Sequence, residues 1–264
     1  METITLNSSV NTLMANNYIF DGNIIKDTAV SFTIEPAQLV TILFLNISSD
    51  INIKFYVKHG SYVRLSFLQT KPINMNIVGA LEKEANVTCY YADFVKGNIS
   101  LTSNIDLIGE NAVCLWNLAS LAKEEDKKNF DVSIYHKSIK TNCEINNYGV
   151  ARDYSKLVFS GICKIENGAH ESKAHQNSKI MVFDEASDAI AKPILKIDDN
   201  DIEASHAAVV GKISDDHMFY LTSRGLSLKE ARELITYGYL KPILAGFNDK
   251  ALQEEINSLI EKGL

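Results

Sequence analysis

The chain has 264 residues, a formal net charge of −7, 46% hydrophobic and 22% charged residues. That is enough apolar material for one large β domain or two ordinary domains, and it excludes a disordered polymer. The acidic balance, without any dense Lys/Arg patch, argues against a nucleic-acid or anionic-membrane partner.

The N-terminus, Met1 to Asn7, has neither a basic n-region nor an apolar h-region, so it is not read as a signal peptide. Residues 1–27 read as a lead-in segment. The longest apolar run, Leu39 to Leu45, is far too short to span a bilayer and reads as a buried strand. From about residue 28 to 212 short β-type runs follow one another: Val30 to Ile34, Val40 to Leu45, Ile51 to Val57, Tyr62 to Phe67, Val87 to Tyr91, Ala112 to Leu118, Val132 to Tyr135 and Leu157 to Phe159. Apolar and polar residues alternate in many of them, the period of a half-buried strand. Early runs recur every ten residues or so, a spacing that fits a sandwich, a barrel or a β-solenoid. Asp21-Gly22 and Asn167-Gly168 are candidate hairpin turns, with Lys96-Gly97 a weaker third. The charged island Lys123 to Asn129 reads as a solvated loop.

The last quarter, 213–264, changes to a helical period. Ser214 is a good N-cap, two acids follow it in the first turn, and Arg224-Gly225 supplies a cation and a left-handed cap at the other end. Ser227 to Glu230 is a capping box. Behind it Leu228, Ala231, Leu234, Ile235 and Tyr239 fall on one helical face. Asn248 is placed to cap a final helix carrying Leu252, Ile256, Leu259 and Ile260. The chain is thus an all-β body followed by a small helical domain.

Several chemistries fail on their residues. Val210-Gly211-Lys212 lacks the P-loop glycine, since His206 stands there, and Ile213 replaces its Ser/Thr. No GxSxG, HExxH or EF-hand loop occurs. Cysteines 89, 114, 143 and 163 are widely spaced on strand-like runs and read as reduced core fillers. His170 and His175 lie five apart, on opposite faces of any strand, and like His59 and His136 they read as ordinary residues. His206 differs, because its neighbours from Ala204 to Val210 are small or apolar. A hydrogen-bonded core histidine and a metal ligand are both open there, and one imidazole needs further donors from elsewhere.

From His136 to about Leu244 the chain resembles the SufB/SufD family of iron–sulfur cluster assembly scaffolds. The resemblance rests on an ordered series: His136, Ala151-Arg152-Asp153, Phe159-Ser160-Gly161, Gln176-Asn177, Lys192 to Ile197, the acidic turn Asp198-Asp199-Asn200-Asp201, Ser205-His206, and Met218 to Gly225. It implies a right-handed parallel β-helix core over 28–212 with a C-terminal helical domain over 213–264. It implies a non-catalytic, cytoplasmic scaffold that pairs with a SufB-like subunit or a second copy. It also implies a SufC-type ABC ATPase held by the C-terminal helices, at Leu228, Ala231, Arg232, Leu234, Ile235 and Tyr239. A nascent iron–sulfur cluster, transient and shared with the partner chain, would meet this chain at His206. Ser205 and Ala207 stand where SufB-like members carry acids, so the chain is more similar to the SufD branch, although Ala204 replaces a cysteine frequent there. An N-terminal helical region expected ahead of the solenoid is largely missing. Two readings of other classes are a β-helix carbohydrate-active enzyme, for which carboxylates on the strands are sparse, and a purely structural interaction solenoid.

Overall fold

The computed structural model describes residues 3–5, 11–24 and 27–262. Their strands fall into two sheets, and every pairing is parallel. One sheet holds β1 (Thr3–Thr5), β3 (Asn16–Asp21), β5 (Leu39–Leu45), β7 (Tyr62–Gln69), β9 (Asn86–Asp93), β11 (Val113–Ala122), β13 (Asn142–Ala151), β15 (Ser172–Val182) and β17 (Ile202–Lys212). The other holds β2 (Asn11–Leu13), β4 (Ala29–Ile34), β6 (Ile51–Val57), β8 (Asn74–Leu81), β10 (Ile99–Leu107), β12 (Lys127–His136), β14 (Lys156–Ile165) and β16 (Asp188–Ile197). Consecutive strands alternate between the sheets, so the chain winds as a parallel β-helix. The spacing of about ten residues seen in the sequence is half a coil. Ahead of residue 28, β1, β2 and β3 already belong to the two sheets. They are three to six residues each, and β3 already alternates, with Tyr18 and Phe20 turned inward.

The strands' inward faces make the core. Phe20, Phe44, Phe67 and Tyr91 lie in register on β3, β5, β7 and β9, with ring centroids 5.7, 4.6 and 5.9 Å apart. Such ring pairs add ~1 kcal/mol each beyond the area they bury. On the other sheet Phe55 stacks beside Phe32 at 5.9 Å, and its ring covers Gly79 of β8, where a Cβ would overlap it.

Each coil turns one corner through a left-handed residue: Ala37, Gly60, Glu84, Asn111, Lys140 and Glu171. The backbone N–H of that residue donates to the following coil: Glu84 to Glu110 O, Asn111 to Ile139 O, Lys140 to His170 O. The coil lengthens from 23 residues between Ala37 and Gly60 to 31 between Lys140 and Glu171. The Asp21-Gly22 and Asn167-Gly168 pairs sit at corners of this winding, not in hairpins.

The charged island Lys123 to Asn129 is not a solvated loop throughout. Its second half begins β12, and Lys128 is fully buried against Asp93.

After β17 come α1 (Asp215–Ser223), α2 (Leu228–Leu240), a 3₁₀ turn (Lys241–Gly246) and α3 (Lys250–Lys262). Ser214 caps α1 by accepting the His217 N–H, and the Ser227/Glu230 capping box is formed. Asp249, not Asn248, caps α3: its Oδ1 accepts the Ala251 and Leu252 N–H groups, while Asn248 Oδ1 accepts from Arg64 at 2.8 Å. These elements lie over the outer face of the nine-stranded sheet. Leu240, Ile243, Phe247, Ile256 and Ile260 pack on Leu68, Phe94, Leu121, Val150 and Phe183. Gly246 touches the Tyr90 ring so closely that a Cβ would collide with it. Five such side chains at about 2 kcal/mol each contribute about 10 kcal/mol, so the tail is part of the core and not a free appendage. Among the described residues no helix is long and apolar enough to cross a membrane.

Candidate functional site

The winding stops at β16 and β17, each of which has a strand neighbour on one side only. The interior changes character as this end approaches. Aromatic rings give way to Cys143, Asn147, Cys163, Gln176 and Ser178, all buried. His206 lies in register with Gln176, and Ala208 with Ser178. His206 is therefore on the inward side of its sheet, yet it is exposed, because no further coil covers it. Ala204 and Ala208 flank it on that face and leave space around the imidazole. Ser205 points to the other face, where its hydroxyl meets His175 Nδ1 at 2.7 Å. Glu203, on the same outer side, pairs with Lys173 at 2.8 Å. Strand geometry thus separates the adjacent Ser205 and His206.

The acidic turn before β17 is a structural clamp. The Asp199 carboxylate, almost completely buried, accepts the N–H groups of Asp201 and Gly168 at 3.0 Å each and meets His170 Nδ1 at 3.0 Å. These bonds, the Asp201 N–H first among them, hold its carboxyl below the ordinary value. The turn ties the last coil to the one before it, with both Asp199 carboxylate oxygens engaged.

Two buried polar groups sit where the sequence reading saw ordinary residues. His136, at the end of β12, places Nδ1 2.7 Å from Thr141 Oγ1 and Nε2 3.1 Å from Cys143 Sγ, and Cys143 Sγ lies 3.4 Å from Cys163 Sγ. Burial lowers the His136 pKa to about 4, so the ring is neutral at physiological pH. Lys128 and Asp93 form the second group. The signal for both was present: Phe130, Val132 and Ile134 alternate inward, and extending that period by one step each way puts Lys128 and His136 inside. All four cysteines are free and buried. Among the described residues no three His, Cys, Asp or Glu side chains form a group able to hold a metal ion, and His206 has no such group around it.

The residues expected to meet an ATPase divide between two faces of α2. Ala231 is fully buried, Ile235 lines the seam with the solenoid, and Tyr239 packs edge-on against Tyr148 at 5.8 Å. Arg232 lies 3.6 Å from Asp184 and over the Phe183 ring. Leu228 and Leu234 face solvent, at 65% and 52% exposed, and α1 adds Phe219 at 73%. The helical face seen in the sequence is mostly the one that docks the tail onto its own solenoid. An open apolar cleft of about 460 Å³ runs between α1, α2 and β17, lined by Met181, Val209, Ile213, Tyr220, Leu221 and Tyr239 among others.

A family model described as SUF system FeS cluster assembly, SufBD core domain, matches residues 45–239. The chain is 32% identical over 172 residues to the iron–sulfur cluster assembly protein SufD of Bacillus subtilis, covering 62% of this chain and 39% of that protein. It is 23% identical over 209 residues to SufD of Escherichia coli, covering 78% of this chain and 49% of that protein. It is 27% identical over 197 residues to SufB of Bacillus subtilis, covering 72% and 42%. The chain therefore matches half or less of the length of each of these relatives.

Proposed function

Because this chain belongs to the SufBD core family of the SUF system, we propose that it is a non-catalytic, cytoplasmic scaffold subunit on which iron–sulfur clusters are assembled. It would pair through the open end of its solenoid with a SufB-like subunit or a second copy. It would also bind a SufC-type ABC ATPase through the solvent-facing side of its C-terminal helices, with Leu228 and Leu234 as exposed anchors. The nascent cluster is cargo. His206 would contribute one neutral imidazole to iron, with the remaining donors coming from the partner.

The observation that carries this reading is His206 itself. It sits on the inward side of an edge strand, exposed, between alanines, at the end of a polar interior. A histidine serving only to fill a core would be buried and hydrogen-bonded. The carbohydrate-enzyme alternative has less to rest on, since Asp199 is held in the turn, Asp198 lies near Lys164 at 3.6 Å and Glu203 pairs with Lys173.

The test is reconstitution of this chain with a SufB-like subunit and the ATPase, with iron, a sulfide source and reductant. Cluster formation is followed by visible absorbance and by iron and sulfide content. His206→Ala should leave the melting temperature within about 2 °C, because an exposed substitution changes stability little. It should lower cluster yield several-fold while subunit pairing persists. Full yield from the variant complex would remove His206 from the site.

A further inference from the structure

We propose that Cys143 and Cys163 are a dithiol that a peroxide-class oxidant closes into a disulfide, joining the two sheets just beneath the open end of the solenoid. Their sulfurs are 3.4 Å apart, and the residues sit on β13 and β14, which belong to opposite sheets. They therefore face each other across the interior. Closing to a bond of about 2.05 Å needs roughly 1.4 Å of sulfur travel, within reach of side-chain rotation. Cys114 is a different case, because it lies beside Cys143 on the neighbouring strand of the same sheet.

The surroundings fit the chemistry. Thr141 Oγ1 lies 3.1 Å from the Ser138 carbonyl, 2.8 Å from Ser172 Oγ and 2.7 Å from His136 Nδ1, and the His136 ring meets Cys143 Sγ through Nε2 at 3.1 Å. Burial keeps that ring neutral. The hydrogen bond from Cys143 holds the Cys163 thiol below its ordinary value, which favours Cys163 as the attacking sulfur. Access is through the last coil. Above Cys143 stack only Ala174 and Ala204, and above Cys163 only Leu195 of the edge strand β16. Ala204 and Leu195 are partly exposed, so local opening of this edge coil admits a small oxidant.

The reaction balances as two thiols plus hydrogen peroxide giving a disulfide and two waters. Cys163 sulfur attacks one peroxide oxygen; the S–O bond forms, the O–O bond breaks, and the departing hydroxide takes the Cys163 proton. Cys143 sulfur then displaces the hydroxyl of that sulfenic acid; the S–S bond forms and the S–O bond breaks. The Cys143 proton joins the departing hydroxide as the second water. Two electrons leave the sulfurs and reduce the peroxide.

The test uses the full chain with and without hydrogen peroxide, followed by quenching, alkylation in denaturant, intact mass and a non-reducing peptide map. The expected result is loss of two of the four thiols, a mass lower by about 2 Da before alkylation, and a linked peptide pair carrying Cys143 and Cys163, all reversed by dithiothreitol. Cys89→Ser should keep the link, and Cys143→Ser should abolish it. Four alkylated thiols after oxidation, or a link mapped to Cys89 or Cys114 instead, would overturn the proposal.

Discussion

Lys128→Met is expected to cost about 3–5 kcal/mol of stability. The Lys128 ammonium and the Asp93 carboxylate are each fully inaccessible to solvent. Nζ lies 2.9 and 3.1 Å from the two Asp93 oxygens, 2.6 Å from Val95 O and 2.7 Å from Leu121 O, so its three protons all have acceptors. Ser120 Oγ donates to Asp93 at 2.7 Å. At 2.9 Å and an effective dielectric constant near 20, the gross attraction is about 6 kcal/mol. Desolvation opposes it: burial pushes the Asp93 carboxyl up from its ordinary value even with the ammonium beside it. Removing the lysine abolishes the attraction and leaves the desolvation, together with two unpaired carbonyls. That is the basis of a loss of about 3–5 kcal/mol, a large share of the roughly 5–15 kcal/mol that a domain has in hand. The measurement is urea unfolding followed by far-ultraviolet circular dichroism. Asp93→Asn combined with Lys128→Met removes the stranded charge, so it should cost at least about 1 kcal/mol less than the two single variants added together. A Lys128→Met midpoint close to wild type, or additive singles, would refute the reasoning.

His136 carries the acid sensitivity of the interior. Its folded pKa of about 4 lies below the ordinary 6.5, so the unfolded chain takes up the proton first. Its contribution is present in full above about pH 6.5 and is lost as pH falls towards 4, for a total of about 3 kcal/mol. His136→Gln should flatten the fall in urea midpoint between pH 7 and pH 4, and an unchanged slope would assign the acid sensitivity elsewhere. On the open edge, Val210→Lys puts an inward charge on β17 at a residue 44% exposed in the isolated chain. It should leave the monomer's stability within about 0.5 kcal/mol yet abolish edge-to-edge association seen by sedimentation. Association at wild-type strength would mean that β17 is not the contact.

The β body was legible because alternation reports which residues face inward, and the inward ladders from Phe20 to Tyr91 lie on such runs. Alternation does not report which strand is the neighbour, so it could not separate a solenoid from a sandwich. The usual aid, a fixed repeat, is blurred here as the coil grows from 23 to 31 residues. Glycine would have marked the corners, but most of the left-handed positions hold Ala, Glu, Asn or Lys, whose strain is offset by the corner hydrogen bonds. The helix caps were legible because capping is local chemistry, and only Asn248 was misassigned, by one residue. At the candidate site, the small neighbours of His206 gave no sign of its exposure. They look like core in sequence, and only the end of the winding uncovers them.

That ending is asymmetric, which bears on the proposed pairing. A free strand edge invites another strand, and proteins blunt it with proline or charge. β16 is blunted in both ways: Pro193 has no N–H to offer, and Asp188, Lys192 and Lys196 line the strand. In β17 the six residues from Ser205 to Val210 contain neither a proline nor an acidic, lysine or arginine side chain. Val209 and Val210 are 53% and 44% exposed there. The solenoid therefore closes one of its two terminal edges to further strands and leaves the other unprotected, and His206 sits near the middle of the unprotected one. A strand added at that edge would bring its own side chains alongside His206, where Ala204 and Ala208 leave room. On the proposed reading, the donors that a single histidine lacks and the strand partner that β17 lacks would come from the same second chain.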